Sequence, residues 1–179
     1  IDASLKNSTT SSVADWMRAA YASNKLALPL LREPQLNSLF AEHAPNLQIE
    51  FMDDNDMIGA PQWESDNIRI NSDNPTAYTL PSMTLFEGRK LLQLNYVFWF
   101  PGRKPNALID LYSGRVDSII WRVTLDEDGQ VLLYDSIHSC GCYHKYFIAS
   151  DSINVKNQPT SREPANIFKL DAAATHDGL

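Results

Sequence analysis

The stretch SIIWRVTLDEDGQVLLYDSIH, residues 118–138, decides the fold because its two halves have the composition of paired strands. Branched and aromatic residues fill both halves. The Asp128-Gly129 pair between them is a strong signal for a two-residue hairpin turn. Such a turn places Leu125 directly opposite Leu132. The stretch therefore predicts an antiparallel hairpin.

The register of this hairpin depends on which residue lies opposite Asp135. The two-residue turn places Arg122 opposite Asp135, and opposite charges across a strand pair are stabilising. A five-residue loop would instead pair Trp121 with Asp135, which buries a carboxylate against indole or exposes both. We therefore predict the first register, which also puts His138 beside Ile119.

Further strands and two helices are predicted upstream. Residues 83–86 and 91–100, joined by a turn at Glu87-Gly88, form a second hairpin. One face of its long strand carries Leu92, Leu94, Tyr96, Phe98 and Phe100. Apolar residues recur at helical spacing after Ser12 and again after Pro34. The pattern indicates an α+β fold, in which two N-terminal helices pack on a mostly antiparallel β-meander of about five strands.

Three local predictions complete this outline. Residues 47–52 alternate apolar and polar side chains, so they predict a short strand. His43 lies on the apolar stripe of the second helix, where a packed and hydrogen-bonded histidine is expected. Along the chain we expect a flexible lead-in over 1–11, one α+β domain over 12–150 and an irregular tail over 151–179.

The composition of the chain restricts the classes of protein to which it can belong. The chain has 179 residues, 44% of them hydrophobic and 21% charged, which is typical of one globular domain. A net charge of −7 argues against nucleic acid as a partner, and no apolar run is long enough for a membrane span. Because the sequence begins with Ile1 rather than Met, we expect a processed, exported or excised chain. Its partner would then be another protein or the remainder of a larger chain.

The residues best suited to metal binding or catalysis lie in the seven-residue segment HSCGCYH. This segment places His138, Cys140, Cys142 and His144 at every second position. In a straight strand the outer two would lie roughly 20 Å apart, too far for one metal ion. Gly141 can adopt the positive φ of a tight turn. A hairpin centred on this glycine would pair His138 with His144 and Cys140 with Cys142, so that all four side chains converge.

Several functions fit that cluster. Thiolate and imidazole are preferred ligands of zinc or another transition metal, and an open metal site could catalyse hydrolysis. Alternatively, Cys140 or Cys142 is a nucleophile with His138 or His144 as its base and Asp135 orienting the imidazole. A Cys-Gly-Cys disulfide could instead act as an oxidant. The remaining alternative is a non-enzymatic interaction module, in which these residues are buried and structural.

Overall fold

The computed structural model describes residues 11–102, 116–155 and 166–170 of the chain. Its helices are α1 (Val13–Ala22), α2 (Glu33–Glu42) and one short 3-10 turn (Asp54–Asp56). Its strands are β1 (Ala60–Glu64), β2 (Asn67–Asn71), β3 (Ala77–Phe86), β4 (Arg89–Phe100), β5 (Asp117–Leu125), β6 (Val131–His138), β7 (Lys145–Ile148) and β8 (Asn166–Lys169). No helix in this part of the chain is long and apolar enough to cross a membrane.

The strands form two sheets. β1 and β2 make an antiparallel hairpin of their own, and β3 to β8 make one six-stranded sheet whose strands follow chain order. Neighbours from β3 to β7 are antiparallel, whereas β8 is parallel to β7. The α+β prediction and the mostly antiparallel meander are confirmed. The strand number is corrected from about five to six in one sheet and two in the other.

Both helices lie where the sequence predicts them, because residues at their first turns suit backbone N–H groups that have no partner within the helix. At the start of α1, Ser12 Oγ accepts from the Asp15 backbone N–H at 3.2 Å, and Asp15 Oδ2 accepts from the Ser12 N–H at 3.0 Å. This reciprocal pair is a capping box. α2 carries Pro34 in its first turn, where the missing N–H leaves no helical hydrogen bond unmade.

The core lies between the two helices and one face of the large sheet. Its fully packed members are Met17, Leu39, Leu92, Leu94, Tyr96, Phe98, Val123 and Leu125. We call this side of the sheet, which carries Leu94 and Val123, the helix face. The opposite side, which carries Asn95 and Arg122, is called the second face. The alternation predicted for β4 is therefore confirmed.

The central hairpin of β5 and β6 combines both registers considered from the sequence. Arg122 does lie opposite Asp135, and Ile119 lies opposite His138, as predicted. The turn, however, is the five-residue loop, closed by the Asp126 N–H donating to Gln130 O at 2.8 Å. Leu125 consequently lies opposite Val131 rather than Leu132, and a bulge restores the predicted register beyond Thr124.

Three local expectations change. Residues 47–52 are exposed and lie outside the described strands, because no neighbouring strand pairs with them. The segment 151–179, expected to be irregular, contributes β8, whose Phe168 stacks on Phe147 with ring centroids 5.3 Å apart. His43 lies at the end of α2, and its buried Nε2 has no hydrogen-bond partner among the described residues. Burial lowers the pKa of His43, so the uncharged imidazole is favoured there.

Candidate functional site

The Cys/His hairpin has a three-residue loop over 139–141. The His138 carbonyl accepts from the Gly141 N–H at 2.8 Å, and the His138 N–H donates to the Cys142 carbonyl at 3.1 Å. Gly141 has a φ of 87°, the left-handed conformation that this type of loop requires at its third position. The predicted role of the glycine is confirmed, but the hairpin is not centred on it. Cys142, not His144, lies opposite His138.

A second irregularity separates the two histidines. Tyr143 has a φ of 56° and adds one residue to the segment that leads into β7, before Ser136 pairs with Lys145. Because side chains alternate along a strand, one extra residue moves every following side chain to the other face. His138 therefore belongs to the helix face and His144 to the second face. The expected convergence of all four Cys/His side chains is wrong for this geometric reason.

His138 is held by a carboxylate that the sequence analysis did not single out. Its Nδ1 lies 3.2 Å from Asp117 Oδ1, and the same oxygen accepts from the Ser118 N–H at 2.7 Å. Both side chains are about one fifth exposed, at 22% and 23%. A neutral imidazole with Asp117 as acceptor carries its proton on Nδ1, so Nε2 is the nitrogen that can take up another proton.

A cleft of about 600 Å³ adjoins this pair. It lies between the segment 48–56 and the ends of β4 and β5, and Asp117 forms part of its wall. Its described lining residues are Gln48, Ile49, Glu50, Met52, Asp53, Asn55, Asp56, Phe100, Gly102, Asp117 and Ile119. Since His138 pairs with Ile119 and contacts Asp117, its imidazole lies beside two lining residues of this cleft.

Asp135 and His144 belong to a separate cluster on the second face. Asp135 is 1% exposed, and its Oδ1 accepts from Arg122 Nε at 2.8 Å and from His144 Nε2 at 2.9 Å. The hydroxyl of Tyr146 lies 2.9 Å from His144 Nδ1. If Nε2 donates to Asp135, then Nδ1 accepts from Tyr146, and both imidazole nitrogens are engaged. Burial, followed by the charge of Asp135, raises the pKa of Tyr146, which keeps its hydroxyl protonated as a donor.

The predicted site residues therefore fall into two groups and one outlier. The backbones of His138 and Cys142 are hydrogen-bonded across the tip of the hairpin, and Asp135 Oδ1 lies 2.9 Å from His144 Nε2. Cys140 lies exposed on the loop. The missed residue, Asp117, could have been found, since it lies two positions before Ile119 and so shares the face predicted for His138.

Metal and disulfide chemistry can be compared with this geometry. Among residues 11–102, 116–155 and 166–170, no group of three or more His, Cys, Asp or Glu side chains could hold a metal ion. Cys140 and Cys142 carry thiols that are not joined in a disulfide. Four ligands are thus not assembled in the described part of the chain.

Comparisons with known proteins add no assignment. No protein-family model, curated protein or solved structure matches the chain.

Proposed function

We propose that this chain performs thiol-based nucleophilic chemistry, with Cys142 as the nucleophile, His138 as its base and Asp117 as the residue that orients the base. The observation that carries the proposal is the 3.2 Å contact between Asp117 Oδ1 and His138 Nδ1 at the wall of a cleft. A carboxylate on one imidazole nitrogen and a nucleophile near the other is the arrangement used for acyl transfer in unrelated folds.

Cys142 is the better of the two thiols for this role. The hydrogen bond from the His138 N–H to the Cys142 carbonyl makes the two residues cross-strand neighbours, and such neighbours have Cβ atoms roughly 5 Å apart. Cys142 is half-buried, whereas Cys140 is exposed at the loop. A thiol beside an imidazole can give its proton to that ring, so it forms a thiolate more readily than a thiol without such a neighbour.

His138 is the better of the two bases. Both nitrogens of His144 lie within hydrogen-bond distance of other side chains, Nε2 of Asp135 and Nδ1 of Tyr146, so neither nitrogen is directed at a thiol. Asp117 engages only Nδ1 of His138 and stabilises the imidazolium that forms when Nε2 takes the thiol proton. The two histidines thus have different roles, one chemical and one structural.

The reaction class that fits is hydrolysis of an activated acyl group. The Cys142 thiol gives its proton to His138 Nε2, and the thiolate sulfur forms a bond to the acyl carbon. The bond from that carbon to the leaving group breaks, and the leaving group takes the proton from His138. Water, deprotonated by His138, then attacks the thioester, so that the acid is released and the thiol is restored.

The test measures thiol reactivity and needs no substrate. In a Cys140→Ser background, iodoacetamide at pH 7 should alkylate Cys142 faster than it alkylates glutathione. The gain can reach about 30-fold, since an ordinary thiol is only a few per cent ionised at this pH. His138→Gln should lower the rate about tenfold or more, and Asp117→Asn should lower it less. The matched control is His144→Gln, which removes the other imidazole and should leave the rate unchanged.

An unchanged alkylation rate in a folded His138→Gln protein, checked by circular dichroism, would contradict the proposal. The same purified samples test the two alternatives from the sequence. One equivalent of zinc or another transition metal per chain, lost on Cys142→Ser, would support a metal site in place of a nucleophile. A protein that is isolated without titratable thiols would support the Cys140–Cys142 disulfide.

A further inference from the structure

We infer that the cleft beside Asp117 takes a small organic cation with an apolar body, and that this is the substrate class of the site. The inference rests on the proposed function, because it names the molecule on which the thiol would act. Three properties of the cleft carry it: its apolar floor, the sign of its charges and its position.

The floor of the cleft is apolar. Ile49, Met52, Phe100 and Ile119 line it, and its volume of about 600 Å³ falls in the range of small-molecule sites. The apolar character continues outside the cleft, since Phe51, which precedes the lining residue Met52 in the chain, is 63% exposed. Apolar side chains exposed beside a concave site provide surface that a ligand with an apolar part would remove from water.

The charged side chains among the described lining residues of the cleft all have the same sign. Every charged side chain among its described lining residues is a carboxylate, from Glu50, Asp53, Asp56 and Asp117. Two of them are fixed in place, because Asp53 Oδ1 accepts from the Asn55 N–H at 2.8 Å and Asp56 Oδ2 accepts from the Met52 N–H at 2.8 Å. Carboxylates with low-dielectric walls favour cations and raise their local concentration.

An organic cation fits better than a metal ion. The described part of the chain brings no three acidic, His or Cys side chains close enough to hold one ion, so the carboxylates are spread along the cleft. Dispersed carboxylates suit an ammonium or guanidinium group attached to an apolar body, which can bury that body on the floor. Asp117 both lines the cleft and holds His138, so a bound molecule lies beside the thiol site.

The test compares three probes of similar size that differ in charge: 2-phenylethylamine, 2-phenylethanol and phenylacetate. They are titrated by calorimetry into the Cys142→Ser protein at pH 7 and low salt. We expect the amine to bind at least about tenfold more tightly than the alcohol, and phenylacetate to bind weakest, because only the amine pairs with the carboxylates. Salt should weaken the binding of the amine and leave that of the alcohol unchanged.

Glu50→Gln is the informative variant, because Glu50 lines the cleft and its replacement keeps the size of the side chain. It should weaken binding of the amine severalfold and leave the alcohol unchanged. The matched control is Glu87→Gln in the β3–β4 turn, at the end of β4 opposite to Phe100, which should alter neither.

Equal binding of the amine and the alcohol, preference for phenylacetate, or no binding of any probe would each overturn the inference. The result is separable from the proposed function, since Cys142→Ser carries no nucleophile in this experiment. Fast alkylation of Cys142 without a preference for the amine would support the nucleophile and contradict only the proposed substrate class. A preference for the amine together with the reactivity of an ordinary thiol would support the cation-binding cleft and contradict the role of Cys142 as a nucleophile.

Discussion

At the scale of single residues, Asp135 is the most constrained charge in the described chain. It is 1% exposed, and it accepts hydrogen bonds from Arg122 on β5 and from His144, which immediately precedes β7. A cross-strand row on the second face places Asn95, Arg122, Asp135 and Tyr146 side by side on β4 to β7. A carboxylate in such a place is tolerated only because its partners compensate for lost hydration.

The prediction at this scale is that Asp135→Asn destabilises the protein by about 3 kcal/mol, since the Arg122 charge is left without its counter-charge. Urea denaturation measures the change in the free energy of unfolding. The control is Asp128→Asn, which removes the 2.8 Å ion pair with Arg18, whose side chain is 65% exposed. That surface pair should contribute less than about 1 kcal/mol. Similar losses in the two variants would contradict the structural role given to Asp135.

At the scale of elements, α1 packs against the loop that joins β5 to β6. Gly129 in that loop has a φ of 83°, and a Cβ atom placed on it would lie 2.5 Å from Val13 Cγ1 in α1. Gly88, in the β3–β4 turn, has nearly the same φ of 81° but open space around it. Substitutions at the two glycines therefore allow the cost of backbone strain to be distinguished from the cost of disturbing the packing of α1.

We predict that Gly88→Ala costs about 1 kcal/mol, the strain of a left-handed alanine. Gly129→Ala should cost at least about 1 kcal/mol more, because its methyl group also pushes α1 away from the loop. Urea denaturation of the two variants gives the difference directly. Equal losses would mean that α1 adjusts freely and that the loop does not position the helix.

The two hairpins show which features of this fold and its site can be predicted from the sequence and which cannot. The Arg122 and Asp135 pairing could be predicted because a charge mismatch excludes the other register over a long strand pair. The loop length could not, since a single bulge beyond Thr124 reconciles a five-residue loop with that register. The same limit applies to the site. A tyrosine at position 143 does not by itself predict a φ of 56°, yet this one residue places His138 and His144 on opposite faces of the sheet.

At the scale of the whole molecule, two tyrosine hydroxyls tie the helices to the sheet. Tyr21 of α1 donates to the Lys90 carbonyl of β4 at 2.7 Å, and Tyr96 of β4 donates to the Phe40 carbonyl of α2 at 2.8 Å. Burial, and secondly the charge of Glu127, raises the pKa of Tyr21 to about 12. Burial alone raises the pKa of Tyr96 well above its ordinary value.

These two hydroxyls predict how stability responds to alkaline pH. A tyrosine ionises near pH 10 when the chain is unfolded, and each of these two ionises at higher pH when it is folded. Between the two values the folded state binds more protons than the unfolded state, so stability falls as pH rises. Their contribution is complete below pH 10 and, for Tyr21, is lost as pH approaches about 12.

Urea denaturation between pH 8 and pH 12 checks this. Each tyrosine should contribute a slope of at most about 1.4 kcal/mol per pH unit above pH 10, reduced where water screens the hydroxyl. Tyr21→Phe should lose about 1 kcal/mol at pH 8, the value of one hydrogen bond, and fall less steeply above pH 10. Tyr96→Phe should behave in the same way at the other helix. If both variants kept the slope of the parent protein, the alkaline loss would come from other groups and the helices would be held by apolar packing alone.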